Sequence, residues 1–307
     1  MLRIGLFLLT NLAIMLVAGV VINLLGVGKF ISNGQMNLQS LLIFCAVFGF
    51  TGSFISLLLS KFMAKRTMGV ELIETPRNAD EQWLVNTVTE LSQKAGIKTP
   101  EIGIFPAQES NAFATGWNRN AALVAVSLGL LQRFERDEVR AVLAHEIGHV
   151  ANGDMITLSL IQGVVNTFVM FFARIIGFVV DKALQGNNER SGNGVGIGYY
   201  IATFVAELVL GFLASMLVAA FSRYREFRAD EAGANLADRN SMIRALQRLQ
   251  VESGQVESAM PASMQAFAIS GGIGRFFASH PPLEVRIQAL RKGVNNAESF
   301  RSSMTPQ

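Results

Sequence analysis

Apolar residues along this chain gather into four blocks, roughly Ile4 to Leu25, Leu38 to Leu59, Met155 to Val180 and Ile197 to Phe221. Each is long enough to cross a hydrocarbon layer as a helix. Between and after them the pattern turns to mixed polar and apolar spacing, the mark of segments that fold around a core of their own in water. The pattern predicts a mainly α membrane protein with four transmembrane helices and an α+β domain outside the lipid that contains a small sheet. It also divides the chain into a transmembrane hairpin over 1–60, a polar part over 61–154, a second hairpin over 155–221, a second polar part over 222–293 and a tail over 294–307.

Within the first polar part, the run from Thr75 to Glu81 reads as a turn followed by acidic residues suited to a helix start, and a helix is expected from about Asp80 to Lys94. Gly96, Thr99 and Pro100 interrupt it. Three short strands should follow, Glu101 to Phe105, Asn111 to Trp117 and Ala121 to Ser127, with Gly116 to Asn120 as a hairpin turn between the last two. From Arg136 the apolar positions Val139, Val142, Leu143, Ile147 and Val150 recur at helical spacing, and Asn152-Gly153 marks the stop. Later helices are expected from about Ser241 to Glu252 and from Leu283 to Arg291. Gln185 to Gly198 reads as a flexible loop, and the tail beyond Gly293 as frayed.

The mean hydropathy of +0.37 and the 16% of charged residues agree with a chain partly in lipid. Only Arg3 precedes the first block and no small-residue cleavage site follows it, so that block is expected to stay as an anchor. The net charge of +3 is small, but its placement is informative. Lys61, Lys65 and Arg66 follow the second block and Arg223, Arg225 and Arg228 follow the fourth, which places both termini and both polar parts in the cytoplasm. These cations hug helix ends with no aromatic interleaving, so no nucleic-acid partner is expected. The single cysteine, Cys45, lies inside the second block; it excludes an intramolecular disulfide and a Cys-rich metal site, and reads as a packed apolar residue.

Candidate chemistry sits on the helix after Arg136. His145 and His149 stand four residues apart, hence on one helical face, where two imidazoles can bind a single Zn2+ ion. Glu146 between them can take a proton from a water acidified by the metal. A catalytic zinc needs a third protein ligand, and the candidates are His280 and the carboxylates. Glu226 is the strongest, with Asp230 one turn on and able to orient a ligand histidine. Both carboxylates could instead pair with Arg223, Arg225 and Arg228 on a solvated face. Two crossings separate His149 from Glu226, so both can meet at one membrane surface.

The His-Glu-x-x-His helix, the membrane hairpin after it and the segment from Ser222 to Asp230 resemble the HtpX family of bacterial heat-shock membrane metallopeptidases, related to the membrane-embedded CaaX prenyl peptidases. The resemblance extends to Asn111 through Gly116 and to Ser279 through Arg286, and covers the chain up to Gly293. It implies a zincin-like metallopeptidase domain on the cytoplasmic side of the bacterial inner membrane, with Glu226 as third zinc ligand. Its implied activity is cleavage of misfolded or damaged membrane proteins under stress, in cooperation with an ATP-dependent membrane protease. Asn111, Ala112 and Phe113 match the family's substrate-facing edge strand, which binds extended backbone without demanding a sequence. His280 and Arg286 match residues placed near the scissile carbonyl, where donors stabilise an oxyanion. His280, before two prolines, could equally cap a helix.

Arg174 and Glu207, at bilayer depth in the second hairpin, are expected to pair or to face a wet cavity, because an ionisable group there needs a partner or water. Two other functions remain compatible with the residues alone: a processing peptidase with one narrow target, and a transporter or scaffold in which any metal is structural.

Overall fold

The computed structural model describes residues 2–26, 29–32, 35–185, 195–259 and 280–293. Most of the loop expected between Gln185 and Gly198, the connection that ends at Ser279 and the tail beyond Gly293 lie outside the described residues. In chain order the elements are α1 (Leu2–Leu25), β1 (Ile31–Ser32), β2 (Gln35–Met36), α2 (Leu38–Met68), β3 (Glu71–Leu72), α3 (Ala79–Lys94), β4 (Glu101–Phe105), β5 (Ala112–Thr115) and β6 (Leu123–Ser127). They continue as α4 (Leu128–Arg133), α5 (Arg136–Asn152), α6 (Asp154–Gln185), α7 (Ile197–Leu236), α8 (Arg239–Ala259) and α9 (Leu283–Lys292). The chain forms two compact units, one of Met1–Leu58 with Thr157–Val218 and one of Leu59–Ile156 with Ala219–Gln307.

The first unit is built from α1 and the apolar stretches of α2, α6 and α7, which among the described residues are the four helices long and apolar enough to cross a membrane. Much of their surface is bare hydrocarbon, such as Leu16, Phe168 and Leu208, as lipid contact requires. Small and hydroxyl residues let α2 approach α6: the Ser53 hydroxyl donates to the Ser159 carbonyl and the Ser159 hydroxyl returns a bond to the Ser53 carbonyl at 3.2 Å. Cys45 is fully buried among these helices. Buried Asp181 near the end of α6 accepts from the Gly196 and Tyr199 amides at 2.9 and 3.2 Å, satisfying donors at the start of α7.

In the second unit a four-stranded sheet has the order β3-β4-β6-β5, with β4 and β6 parallel and the two outer pairs antiparallel. All five residues of β6 are buried, the near-continuous apolar run of a central strand. β5 occupies an edge. Its bounds are narrower than the expected Asn111 to Trp117, because its ladder with β6 runs only from Ala112 to Thr115. The Ser127 hydroxyl accepts from the Leu130 amide at 3.1 Å and starts α4, a helix too short to show as a periodic pattern.

Helix α3 starts where Asn78 Oδ1 accepts from the Glu81 amide at 2.8 Å, and α5 where the Glu135 amide donates to Glu138 Oε2 at 3.0 Å. Helix α5 ends at Gly153, whose φ of 68° lies in the left-handed region that side chains avoid. The core gathers Leu84, Val88 and Leu91 of α3, Val124 and Val126 of β6, Leu143, Ile147 and Val150 of α5, Met242 and Leu246 of α8, and Ile287 and Leu290 of α9. Each such fully buried side chain contributes about 1.5–3 kcal/mol, and together they clamp α5 from several sides.

Candidate metal centre

The inward face of α5 presents His145 and His149 with ring centroids 4.7 Å apart and planes at 88°. Glu226 comes from α7, which runs on past its apolar stretch into the second unit. That approach depends on small residues: a Cβ on Gly148 would stand 2.8 Å from the Ala232 Cβ, and one on Gly233 3.2 Å from the His145 amide nitrogen. At this separation His145 Nε2 lies 3.6 Å from Glu226 Oε2 and His149 Nε2 lies 3.3 Å from Glu226 Oε1.

Each imidazole has a carboxylate at its other nitrogen. His145 Nδ1 lies 3.0 Å from Asp230 Oδ1, and His149 Nδ1 lies 2.6 Å from Asp154 Oδ2. Both carboxylates are buried. This leaves the two Nε2 atoms facing Glu226, the arrangement that fixes a ligand tautomer and raises its basicity. Burial works against a charged His149, but the Asp154 hydrogen bond and the Glu226 and Glu146 carboxylates outweigh it and push the imidazolium pKa up to about 10. His149 would have to be neutral at Nε2 to hold a metal, so binding there would compete with a proton.

The ligand atoms of His145, His149 and Glu226 all lie within 4.8 Å of one another. Zinc bonds of about 2.0–2.1 Å in a tetrahedron place ligand atoms roughly 3.3–3.4 Å apart, close to the 3.6 and 3.3 Å that separate the two Nε2 atoms from the Glu226 oxygens. Glu226 Oε2 is buried and has no aligned hydrogen-bond partner. The donor set thus fits a zinc ion, and Glu146 lines the same cleft as His145 and Glu226.

Arg286 of α9 is buried and forks onto Asp230, its Nε 2.8 Å from Oδ2 and its Nη2 2.6 Å from Oδ1, while Nη1 stands 3.2 Å from Glu226 Oε2. Burial works against the charge on this guanidinium, but the Asp230, Glu226 and Glu146 carboxylates together outweigh it and raise its pKa. His280 is mostly exposed, with Nδ1 2.8 Å from Glu226 Oε2. A cleft of about 290 Å³ opens over these residues, lined by Asn111 and Ala112 on one side, Glu146 and His280 at the metal end, and Met242 and Leu246 of α8. Phe113 does not line this cleft; its ring stands 5.4 Å from that of Phe105. A second cavity of about 400 Å³, lined in part by Trp83, Phe105 and Arg136, holds none of the motif residues.

Asp154 was not among the sequence candidates. It stands at the start of an apolar block and reads as a membrane-boundary acid, and the only signal for it was its place just after the helix stop that follows His149. Arg225, which the alternative pairing would place on a solvated face, is buried and donates to the Asp154 carbonyl at 3.1 Å.

Residues 78–294 match the model of peptidase family M48. The chain is 77% identical over 296 residues to protease HtpX of Cellvibrio japonicus, covering 96% of this chain and 100% of that protein. It is 64% identical over 298 residues to protease HtpX of Pseudomonas putida, covering 95% and 99%. The crystal structure of S. mikatae Ste24p shares the fold, with a TM-score of 0.61 and 18% identity over 94% of this chain and 67% of that one. The chain belongs to peptidase family M48, as a membrane metalloprotease of the HtpX group.

Proposed function

We propose that this chain is a zinc-dependent endopeptidase of the bacterial cytoplasmic membrane that cleaves misfolded or damaged membrane proteins at a site facing the cytoplasm. The observation that carries the reading is the convergence of His145, His149 and Glu226 on one point, with Asp230 and Asp154 behind the two imidazoles and a cleft alongside. The cytoplasmic placement rests on the cations that follow the second and fourth apolar blocks. The quality-control role in the stress response, and cooperation with an ATP-dependent membrane protease, rest on the likeness to the HtpX proteases.

When bound, zinc supplies Lewis acidity that brings water deprotonation near neutral pH. Glu146, half-buried at the cleft, takes the proton from the attacking water on its carboxylate and delivers it to the leaving amine. The substrate lies extended along the edge formed by Asn111, Ala112 and Phe113. The Asn111 amide and carbonyl are already bonded to Ser127 and Phe113 shares that phase in the ladder with β6, so Ala112 offers the outward backbone hydrogen bonds, which admits many sequences. His280 donates to the developing oxyanion, and Arg286 Nη1, its other donors held by Asp230, adds positive charge beside Glu226.

The test is zinc content and casein cleavage for the full chain purified without chelator, alongside Glu146→Gln and Glu226→Ala. Stoichiometric zinc is expected in wild type and Glu146→Gln, sharply weaker retention in Glu226→Ala, and cleavage in wild type alone. Casein cleavage by Glu146→Gln at the wild-type rate would overturn the assignment of the base.

A further inference from the structure

The turn between β5 and β6 carries two side chains that the chemistry above does not use. Trp117 is 49% exposed, and Arg119, two residues on, is exposed as well. Neither makes a hydrogen bond, an ion pair or a ring contact among the described residues. The turn that presents them is nevertheless fixed. Gly116 enters it at a φ of 147°, where a Cβ would stand 2.8 Å from the Ala121 carbonyl oxygen, and the Ala121 amide closes it by donating to the Asn118 carbonyl at 3.2 Å. Asn118 Oδ1 accepts from the Asn120 amide at 2.7 Å.

The base of the turn is tied to the end of α2. Lys61 Nζ lies 3.5 Å from the Ala121 carbonyl oxygen and 2.7 Å from Glu101 Oε1, and Lys65 Nζ lies 2.5 Å from Glu101 Oε2. Lys61 stands two positions beyond Leu59, the end of the second apolar block, so roughly 3 Å of helix separates it from the hydrocarbon edge. The headgroup layer on each side of a bilayer is about 5–7 Å thick. The turn therefore meets α2 at headgroup level. Close by on α2, Phe62 is 48% exposed and the Arg66 guanidinium lies 5.8 Å from its ring centroid. A ring in that layer rests among glycerols and first methylenes, and a cation beside it meets lipid phosphate.

We propose that the turn at Trp117 and Arg119 inserts into the headgroup layer of the membrane that α2 crosses, and so holds the end of β5 against the lipid surface. Charge complementarity selects this occupant: Arg119 has no protein carboxylate, and phospholipid headgroups present phosphate. β5 ends at Thr115, two residues before Trp117, while Ala112 at its other end lines the cleft. Its open edge thus leads from the lipid surface toward the metal centre, a path for a chain that leaves the bilayer extended. That path rests on the proteolytic reading above; the insertion itself does not.

Trp83 and Trp117 are the two tryptophans of the chain, so Trp83→Phe leaves a single fluorophore at the turn. The full-length protein is reconstituted in vesicles of phosphatidylethanolamine and phosphatidylglycerol whose acyl chains are either plain or brominated close to the glycerol. Trp117 should lose most of its emission in the brominated vesicles and resist acrylamide added to the water. Trp117→Phe, which keeps only Trp83 beside Arg136, should lose none to bromine. Equal loss from Trp83, or Trp117 emission that acrylamide quenches and bromine does not, would overturn the insertion. The second readout is KM of the zinc-loaded protein for a single-span reporter, against cleavage of soluble casein. Trp117→Asp combined with Arg119→Asp should raise KM for the reporter several-fold and leave casein cleavage unchanged. An unchanged KM would overturn the role of the turn in holding β5 at the lipid, and so would loss of casein cleavage, which would make the turn a structural part of the domain. Failure of wild type to cleave either substrate would sink the proteolytic reading and leave the insertion to stand or fall on quenching.

Discussion

Asp154 Oδ2 stands 2.6 Å from His149 Nδ1, so the first residue of α6 orients a candidate ligand in the last turn of α5. The left-handed backbone at Gly153 makes the contact, turning the chain so that Asp154 faces back toward the imidazole. Arg225 holds the Asp154 carbonyl from α7. Three helices thus meet at one residue, Asp154.

Replacing Asp154 with alanine removes the acceptor that fixes the His149 tautomer. Zinc affinity should fall about 10- to 100-fold, the usual cost of losing such a partner. Competition against a chelator of known affinity measures it, and affinity equal to wild type would show that the contact orients nothing.

Arg286 is the cation between two buried carboxylates. Arg286→Met should destabilise the protein by about 3–5 kcal/mol, because Asp230 and Glu226 are left without their partner. Pairing it with Asp230→Leu should recover part of that loss while zinc affinity stays low, since His145 still lacks its carboxylate. Thermal melts in detergent of both variants separate the two effects.

The metal site was legible because its chemistry demands a short spacing: His145 and His149 must share a helical face, and any helix-forming segment with that spacing announces it. Glu226 and Asp230 were legible as a pair one turn apart, but whether they met the histidines or the neighbouring arginines depended on the path of α7. The apolar blocks were visible from length alone, and the sequence after Phe221 stays helical in pattern through Ala237, as α7 does to Leu236; α2, by contrast, runs on to Met68, past the end of its apolar block at Leu59. Hydropathy marks where lipid contact ends, and the helix ends only where the backbone is broken. Strand β3, two residues long, left no pattern, and the parallel pairing of β4 with β6 is a tertiary fact that alternation along one strand cannot encode. The side chain of Phe113 followed from strand alternation once Ala112 and Ala114 were known to pack against the core.

Gly148 sets the spacing between α5 and α7. Valine there would force its side chain into Ala232 and push Glu226 away from the imidazoles. Gly148→Val should lose zinc during purification, as Glu226→Ala does, although every proposed ligand is intact. Zinc content read by elemental analysis decides it, and full occupancy would mean that the helices have slack.

Arg140 of α5 forks onto Glu90 of α3, with Nη1 2.9 Å from Oε2 and Nη2 2.6 Å from Oε1, and Lys94 adds a third contact at 2.9 Å. The Arg140 hydrogen bonds, helped by Lys94, draw the Glu90 carboxyl down to about 2. A depressed carboxylate pKa contributes stability that is fully present above the ordinary carboxylate range and is lost as pH falls through the folded value, here between roughly pH 4.5 and 2. Glu90 is 48% exposed, so solvent screens the pair and its contribution is about 1 kcal/mol or less. Arg140→Ala should therefore melt slightly below wild type at pH 7, and the gap should close as the pH is lowered toward 2. It should also narrow in high salt, since a half-exposed pair is screened within a Debye length. A gap that persists unchanged at pH 2 would assign the loss to the packing of the Arg140 side chain against α3 and leave its charge without a role.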